Sequence, residues 1–139
     1  MDAKGAREIL FRGKRIDNGE WVEGYFVNLW LVNYQRYQPI ITDNNAVSYD
    51  VDPSTVGQYT GLTDKNGKKI FEGDIVAIER GWNETVKYHV FFDPQICGFI
   101  GDSINYIGFT TFGDDGINME VIGNIHDNPE LLEDFNKEV

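Results

Sequence analysis

Turn-forming residues punctuate this sequence from end to end, and the stretches between them are short and patterned for strands. Asp17-Asn18-Gly19 places two residues that tolerate positive φ between Glu8–Ile16 and Glu20–Val27, a tight-hairpin signal. Asn44-Asn45, Asp52-Pro53-Ser54 and Asp64-Lys65-Asn66-Gly67 follow, then Glu72-Gly73-Asp74, Arg80-Gly81-Trp82-Asn83, Asp93-Pro94 and Asp114-Asp115-Gly116. Short strands at such spacing point to a barrel or a sandwich. The chain is therefore expected to be mainly β.

Individual segments sharpen that expectation. In Thr85–Phe92, Val86, Tyr88, Val90 and Phe92 fall on one face, and Thr85, Lys87 and His89 on the other. In Glu20–Val27, both faces carry large apolar groups, and Gly24 marks a bulge or a close backbone approach. Residues 28–50 read as extended structure and loop, with Pro39 arguing against a central strand. Asp52-Pro53 reads as a turn or as the capped start of one helical turn. The end differs in kind. Asn128 as N-cap, Pro129 at the first helical position and Glu130 in the first turn predict a short C-terminal helix bearing Leu131, Leu132 and Phe135. So short a helix needs something to pack on, either its own barrel or a neighbouring subunit. With 139 residues the chain can bury a core without covalent staples. It divides into an N-terminal hairpin and loop region, 1–60, and a small C-terminal barrel with the helix, 61–139. The barrel core is predicted to hold Ile75, Val86, Tyr88, Val90, Ile107 and Val121.

Charge narrows the partners. The net charge is −11, but residues 1–15 carry five basic residues against two acids, leaving the rest at −14. That body repels phosphate backbones, so no duplex DNA binding is expected. The basic stretch reads as a solvated strand edge that Lys and Arg protect from aggregation. No apolar run is long enough for a membrane helix, and nothing resembles a signal peptide, so a cytoplasmic location is expected. The single cysteine, Cys97, excludes an intrachain disulfide and reads as a small buried hydrophobe.

Chemistry is hard to find. The two histidines, His89 and His126, read as a polar-face residue and a corner residue. A metal site using His126 or Asp114 and Asp115 would need distant acids to converge. Asp64–Gly67 lacks the alternating acids and distal Glu of a calcium loop. No phosphate-binding glycine loop, nucleophile elbow or zinc spacing is present. No catalytic, cofactor-binding or metal-binding residue is therefore assigned, and no cofactor is expected. Trp21, Trp30, Tyr34, Tyr37 and Trp82 could line a peptide groove, although most aromatics must serve the core.

Three blocks carry a family resemblance: Arg7–Lys14 with Trp21-Val22-Glu23-Gly24, Val56–Leu62 with Asp64–Val76, and Val121–Leu132. In this order they resemble the YopX family of phage and prophage proteins. The resemblance implies a phage or prophage origin, a small barrel of the SH3 type in the C-terminal part, and self-association in some members. It brings no catalytic residues with it. Residues 28–50 and 93–118 depart most from the shared pattern and are where member-specific function would lie. The expected function is that of a non-enzymatic accessory protein that binds another protein, of host or phage. The alternatives are a nucleic-acid-linked role, through the basic stretch or by acidic mimicry, and a metal-dependent enzyme.

Overall fold

The computed structural model describes residues 7–81, 84–104, 108–112 and 118–133. The chain divides after Gly61 into two compact units.

In the first unit, β1 (Phe11–Lys14) and β2 (Trp21–Leu31) form the antiparallel hairpin that Asn18-Gly19 announces. Gly19 adopts φ +73°, and the Arg15 N–H donates to the Glu20 carbonyl at 2.8 Å to close the turn. β2 then outruns β1 and pairs along its second half with β3 (Arg36–Thr42). β4 (Ser48–Asp50) pairs with the end of β3, and β5 (Gly57–Thr63) pairs with β1, giving the order β4-β3-β2-β1-β5. Between β4 and β5, Asp52 caps a single 3-10 turn, Pro53–Thr55, by accepting the Ser54 N–H. Ile41 and Val51 are fully buried, and Gly13 lets them approach β1. Phe26 stacks on Phe11 at 5.5 Å on the same side of β2 as the Ile41 partner position. At Gly24 a side chain would lie 2.0 Å from the Thr42 carbonyl oxygen, so the close backbone approach is real.

Pro39 corrects the sequence reading, because it lies inside β3, between β2 and β4. Its carbonyl accepts the Val51 N–H, on the side away from β2. Since N and O of one strand residue point the same way, the donorless nitrogen faces that side too, and the β2–β3 ladder loses nothing.

In the second unit, β5 passes Gly61 and returns through the turn Asp64–Gly67 into β6 (Lys69–Phe71). β7 (Asp74–Arg80), β8 (Glu84–Asp93), β9 (Gly98–Ser103), β10 (Phe109–Thr110) and β11 (Met119–Asn124) form an antiparallel sheet ordered β10-β9-β8-β7-β11. The expected SH3-type barrel does not close. β11 pairs back onto β7 while β10, two residues long, ends the other edge, so the sheet stays open among the described residues. The predicted core holds in its centre: Ile75, Val86, Tyr88 and Val90 are buried, and Val121 is half-buried against Met119 and its neighbours. Ile107 lies outside the described residues. Phe92 keeps the parity of Val90 but is exposed, sitting edge-on to Phe99 where the hairpin ends.

The C-terminal helix is also corrected. Pro129–Glu133 is a 3-10 turn, with the Leu131 N–H donating to the Asn128 carbonyl. The Asn128 side-chain oxygen accepts backwards from the Asn124 N–H, so it is not free to cap a following helix. Leu131 lies against its own β11, where a side chain at Gly123 would meet its Cδ1 at 3.0 Å. Leu132 is partly exposed, and Phe135 lies outside the described residues.

Candidate functional site

Sheets that bury one face usually present polar residues on the other. The β2–β3 ladder breaks that rule. Phe26 and Ile41 share the face that packs on β1, and strand alternation sends Tyr25, Val27 and Leu29 to the opposite face. Those three are 69%, 51% and 44% exposed. Beyond Gly24 on β2, and over Arg36–Gln38 on β3, the two strands pair only with each other among the described residues. This two-stranded arm ends in a four-residue loop from Val32 to Gln35, closed by the Tyr34 N–H donating to the Leu31 carbonyl. Gln35 there has φ +49°.

The arm is apolar to its tip. Trp30 and Tyr37, paired across the ladder on the Phe26 face, stack edge-on at 4.9 Å and remain exposed. In the loop, Val32 and Tyr34 are 74% and 71% exposed. Its polar groups are internally satisfied: the Arg36 guanidinium donates to the Gln38 side-chain oxygen at 2.8 Å, and the Gln38 amide donates to the Pro39 carbonyl. Between Glu23 and Asp43 the sequence holds one charged residue, Arg36, in a chain that is 25% charged overall. Depletion of charge with enrichment of Tyr, Trp and Arg is the compositional mark of an interface centre.

Of the aromatics singled out from sequence, the structure pairs Trp30 with Tyr37 and places Tyr34 in the adjoining loop, 5.7 Å from the Arg36 guanidinium. They do not form a groove; they stand on the arm. Trp21 is elsewhere, half-buried beneath Arg12 and Lys14 at 4.7 and 5.4 Å from its ring, and Trp82 lies outside the described residues. Arg12 and Lys14 of the basic stretch are thus engaged, and so is Arg15. Arg15 stacks on Tyr49 at 4.4 Å and hydrogen-bonds Asp17 through both carboxylate oxygens, which holds the Asp17 carboxyl below its ordinary value.

The other candidates resolve into structure. Asp64 is buried, and its carboxylate accepts the N–H groups of Asn66 and Lys68 and, 57 positions along the chain, of Val121. It ties the β5–β6 turn to β11. Burial pushes its pKa up, but the backbone N–H groups of Val121, Lys68 and Asn66 outweigh burial and hold it below the ordinary value. His89 is half-buried on β8, and burial lowers its pKa, aided by His126 and opposed by Asp102. His126 sits at the corner after β11, where the Asn124 side-chain oxygen accepts the N–H groups of His126 and Asp127. Asp114 and Asp115 lie outside the described residues. Among the described residues, no three His, Cys, Asp or Glu side chains converge as a metal site. No helix among them is long and apolar enough to cross a membrane. Cys97 corrects the sequence reading: it is exposed, with φ +53°, in the turn joining β8 to β9.

Sequence alone missed the arm, because residues 28–50 read as extended structure and loop with no hairpin pairing assigned. The signal was the charge-poor span from Gly24 to Thr42, in which Arg36 is the single charge.

Comparisons with known proteins add the lineage. No curated protein matches the chain. A solved structure, that of protein EF1440 from Enterococcus faecalis, is 24% identical, covers 92% of this chain and 100% of its own, and superposes with a TM-score of 0.55. That likeness supports the fold alone. The family model described as YopX protein matches residues 10–133, spanning all three of the motif blocks nearly end to end, and the chain therefore belongs to the YopX family.

Proposed function

We propose that this chain is a phage or prophage accessory protein, non-enzymatic and working in the host cytoplasm by binding protein through the β2–β3 arm. The observation that carries the reading is an outward strand face of Tyr25, Val27 and Leu29 where alternation calls for polar residues, continuous with exposed aromatics at the tip. Monomeric proteins rarely leave contiguous apolar patches beyond about 300–600 Å² in water. Tyr25, Val27 and Leu29, with Val32 and Tyr34 of the tip loop, expose on the order of 500–600 Å², at the top of that range. The span with Arg36 as its single charge gives the arm the composition of a contact centre. The basic-stretch form of the nucleic-acid alternative loses support, since Arg12, Lys14 and Arg15 already lie over aromatic rings.

The test is affinity capture from induced cells with the intact protein and with Leu29→Asp as baits. Leu29 is on the exposed face, so the variant keeps its fold. The reading predicts a protein retained by the intact bait and lost from the variant. Identical retention by both would place the working surface elsewhere.

A further inference from the structure

We infer that the open edge of β2, from Phe26 to Trp30, takes an extended segment of a partner protein as an added antiparallel strand, with residues alternating apolar and basic. This rests on the arm being the working surface and names what binds it. The register fixes which backbone groups are on offer. Pro39 directs its carbonyl to Val51, away from β2, so Asn28, its cross-strand partner, directs its own N–H and C=O away from β3. Phe26 and Trp30 share that parity. Their N–H and C=O groups form the edge, and no strand lies beside it beyond Gly24 among the described residues. The run before β1 does not cover it either. Leu10 accepts the Tyr59 N–H, and a side chain at Gly61 would meet Arg7 at 3.7 Å, so that run follows β5.

Exposed strand edges are normally blunted by charge, proline, bulges or cover. Elsewhere this chain does so. Along β3, Pro39 offers no N–H and its carbonyl is taken by Val51. On β4, the Asp50 carbonyl accepts the Ile16 N–H. On β11, Asp64 and Asn128 side chains accept the N–H groups of Val121 and Asn124. The β2 edge has none of these devices: residues 25–31 hold no charge and no proline, and their pairing with β3 runs without a bulge. Left open in this way, an edge accepts a strand by backbone pairing.

The flanking side chains set the segment's chemistry. On one face an added strand continues the exposed row of Tyr25, Val27 and Leu29, which calls for apolar residues. Arg36 also lies on that face, so cations belong on the other, where Trp30 is exposed and a cation over an aromatic ring is favourable. The chain's net charge of −11 attracts a basic segment and opposes edge-to-edge pairing of two copies.

The experiment is fluorescence anisotropy of the full chain with a capped, labelled peptide of about seven residues alternating valine and lysine. Asn28→Pro deletes an outward N–H and leaves the β2–β3 ladder intact, whereas Asn28→Ala removes the side chain and keeps the N–H. The inference predicts that wild type and Asn28→Ala bind alike and that Asn28→Pro binds at least about tenfold more weakly. The same peptide N-methylated on its lysines, whose N–H groups face β2 in the antiparallel pairing, also weakens at least about tenfold; this arm serves if Asn28→Pro does not fold. No binding at about 1 mM overturns the inference, as does binding indifferent to both Asn28→Pro and N-methylation. A dimer in sedimentation velocity that Asn28→Pro dissociates gives the edge to a second copy and overturns the basic segment. In affinity capture, loss with Leu29→Asp but not with Asn28→Pro overturns the edge and leaves the arm reading standing. Capture unchanged by both variants removes both.

Discussion

Replacing Asp64 is expected to cost a large share of the protein's stability, and the amount can be worked from its contacts. The buried carboxylate accepts three backbone N–H groups at 2.9–3.0 Å, two within its own turn and one from β11. A hydrogen bond to a charged acceptor contributes about 1.5–3 kcal/mol. Three sharing one carboxylate are not independent, so Asp64→Ala should lose about 4 kcal/mol, against a typical net stability of about 5–15 kcal/mol. Asp64→Asn keeps an acceptor for Asn66 and Lys68 but turns an N–H toward the Val121 N–H, and should lose about 2 kcal/mol. Urea unfolding followed by circular dichroism reads this directly. With a slope of about 1–3 kcal/mol per molar urea, the alanine midpoint should fall by about 2 M and the asparagine midpoint by about half that. The carboxyl is held below its ordinary value of 3.8 in the fold. Its contribution is therefore fully present above the unfolded value and is lost as pH falls through the folded one. The gap between wild type and Asp64→Asn should hold from neutral pH down to about pH 4 and close below it. An alanine midpoint within about 0.3 M of wild type would refute the reasoning.

Other outcomes follow from single residues. Gly24→Ala should destabilise by about 2–4 kcal/mol, because its side chain meets a backbone carbonyl at 2.0 Å. Gly19→Ala, with open space but φ +73°, should cost about 1 kcal/mol; equal thermal shifts for the two would contradict the close approach. Burial lowers the His89 pKa, so the protonated form disfavours the fold and wild type should lose stability as pH falls below the ordinary value of 6.5. His89→Gln should flatten that stretch of the pH–stability curve, and an unchanged slope would assign it to other groups. Labelled duplex DNA should not be retained at physiological salt, given the −14 balance outside residues 1–15; salt-sensitive retention would show otherwise.

Local chemistry was legible where it is self-contained. Asn18-Gly19 specified the first hairpin, and Val86, Tyr88 and Val90 specified the inward face of β8, because both signals act within a few residues. Alternation gives a face but not the extent of cover, so Phe92 shares the face of Val86, Tyr88 and Val90 and is nonetheless exposed near the end of the strand. Barrel closure depends on which strands meet at the edges, a long-range choice that turn spacing does not encode. Asn128-Pro129 is a valid helix start in isolation. The strand-to-turn corner overrides it locally, by using the Asn128 side chain to bond Asn124 four residues back. The arm escaped notice because Pro39 breaks a ladder only when its nitrogen faces a partner strand, and orientation is not written in the residue type. Its chemistry was nonetheless present in the sequence, as nineteen residues, 24–42, with a single charge.

The proposal that the arm makes protein contacts can be tested in living cells. It is tested most directly by photocrosslinking in cells, with benzoylphenylalanine placed singly at Tyr34, Tyr37 or, as a control on an exposed turn, Ile96. The account predicts protein adducts from Tyr34 and Tyr37 and none of comparable yield from Ile96. Adducts distributed evenly over the three positions, or confined to Ile96, would contradict it.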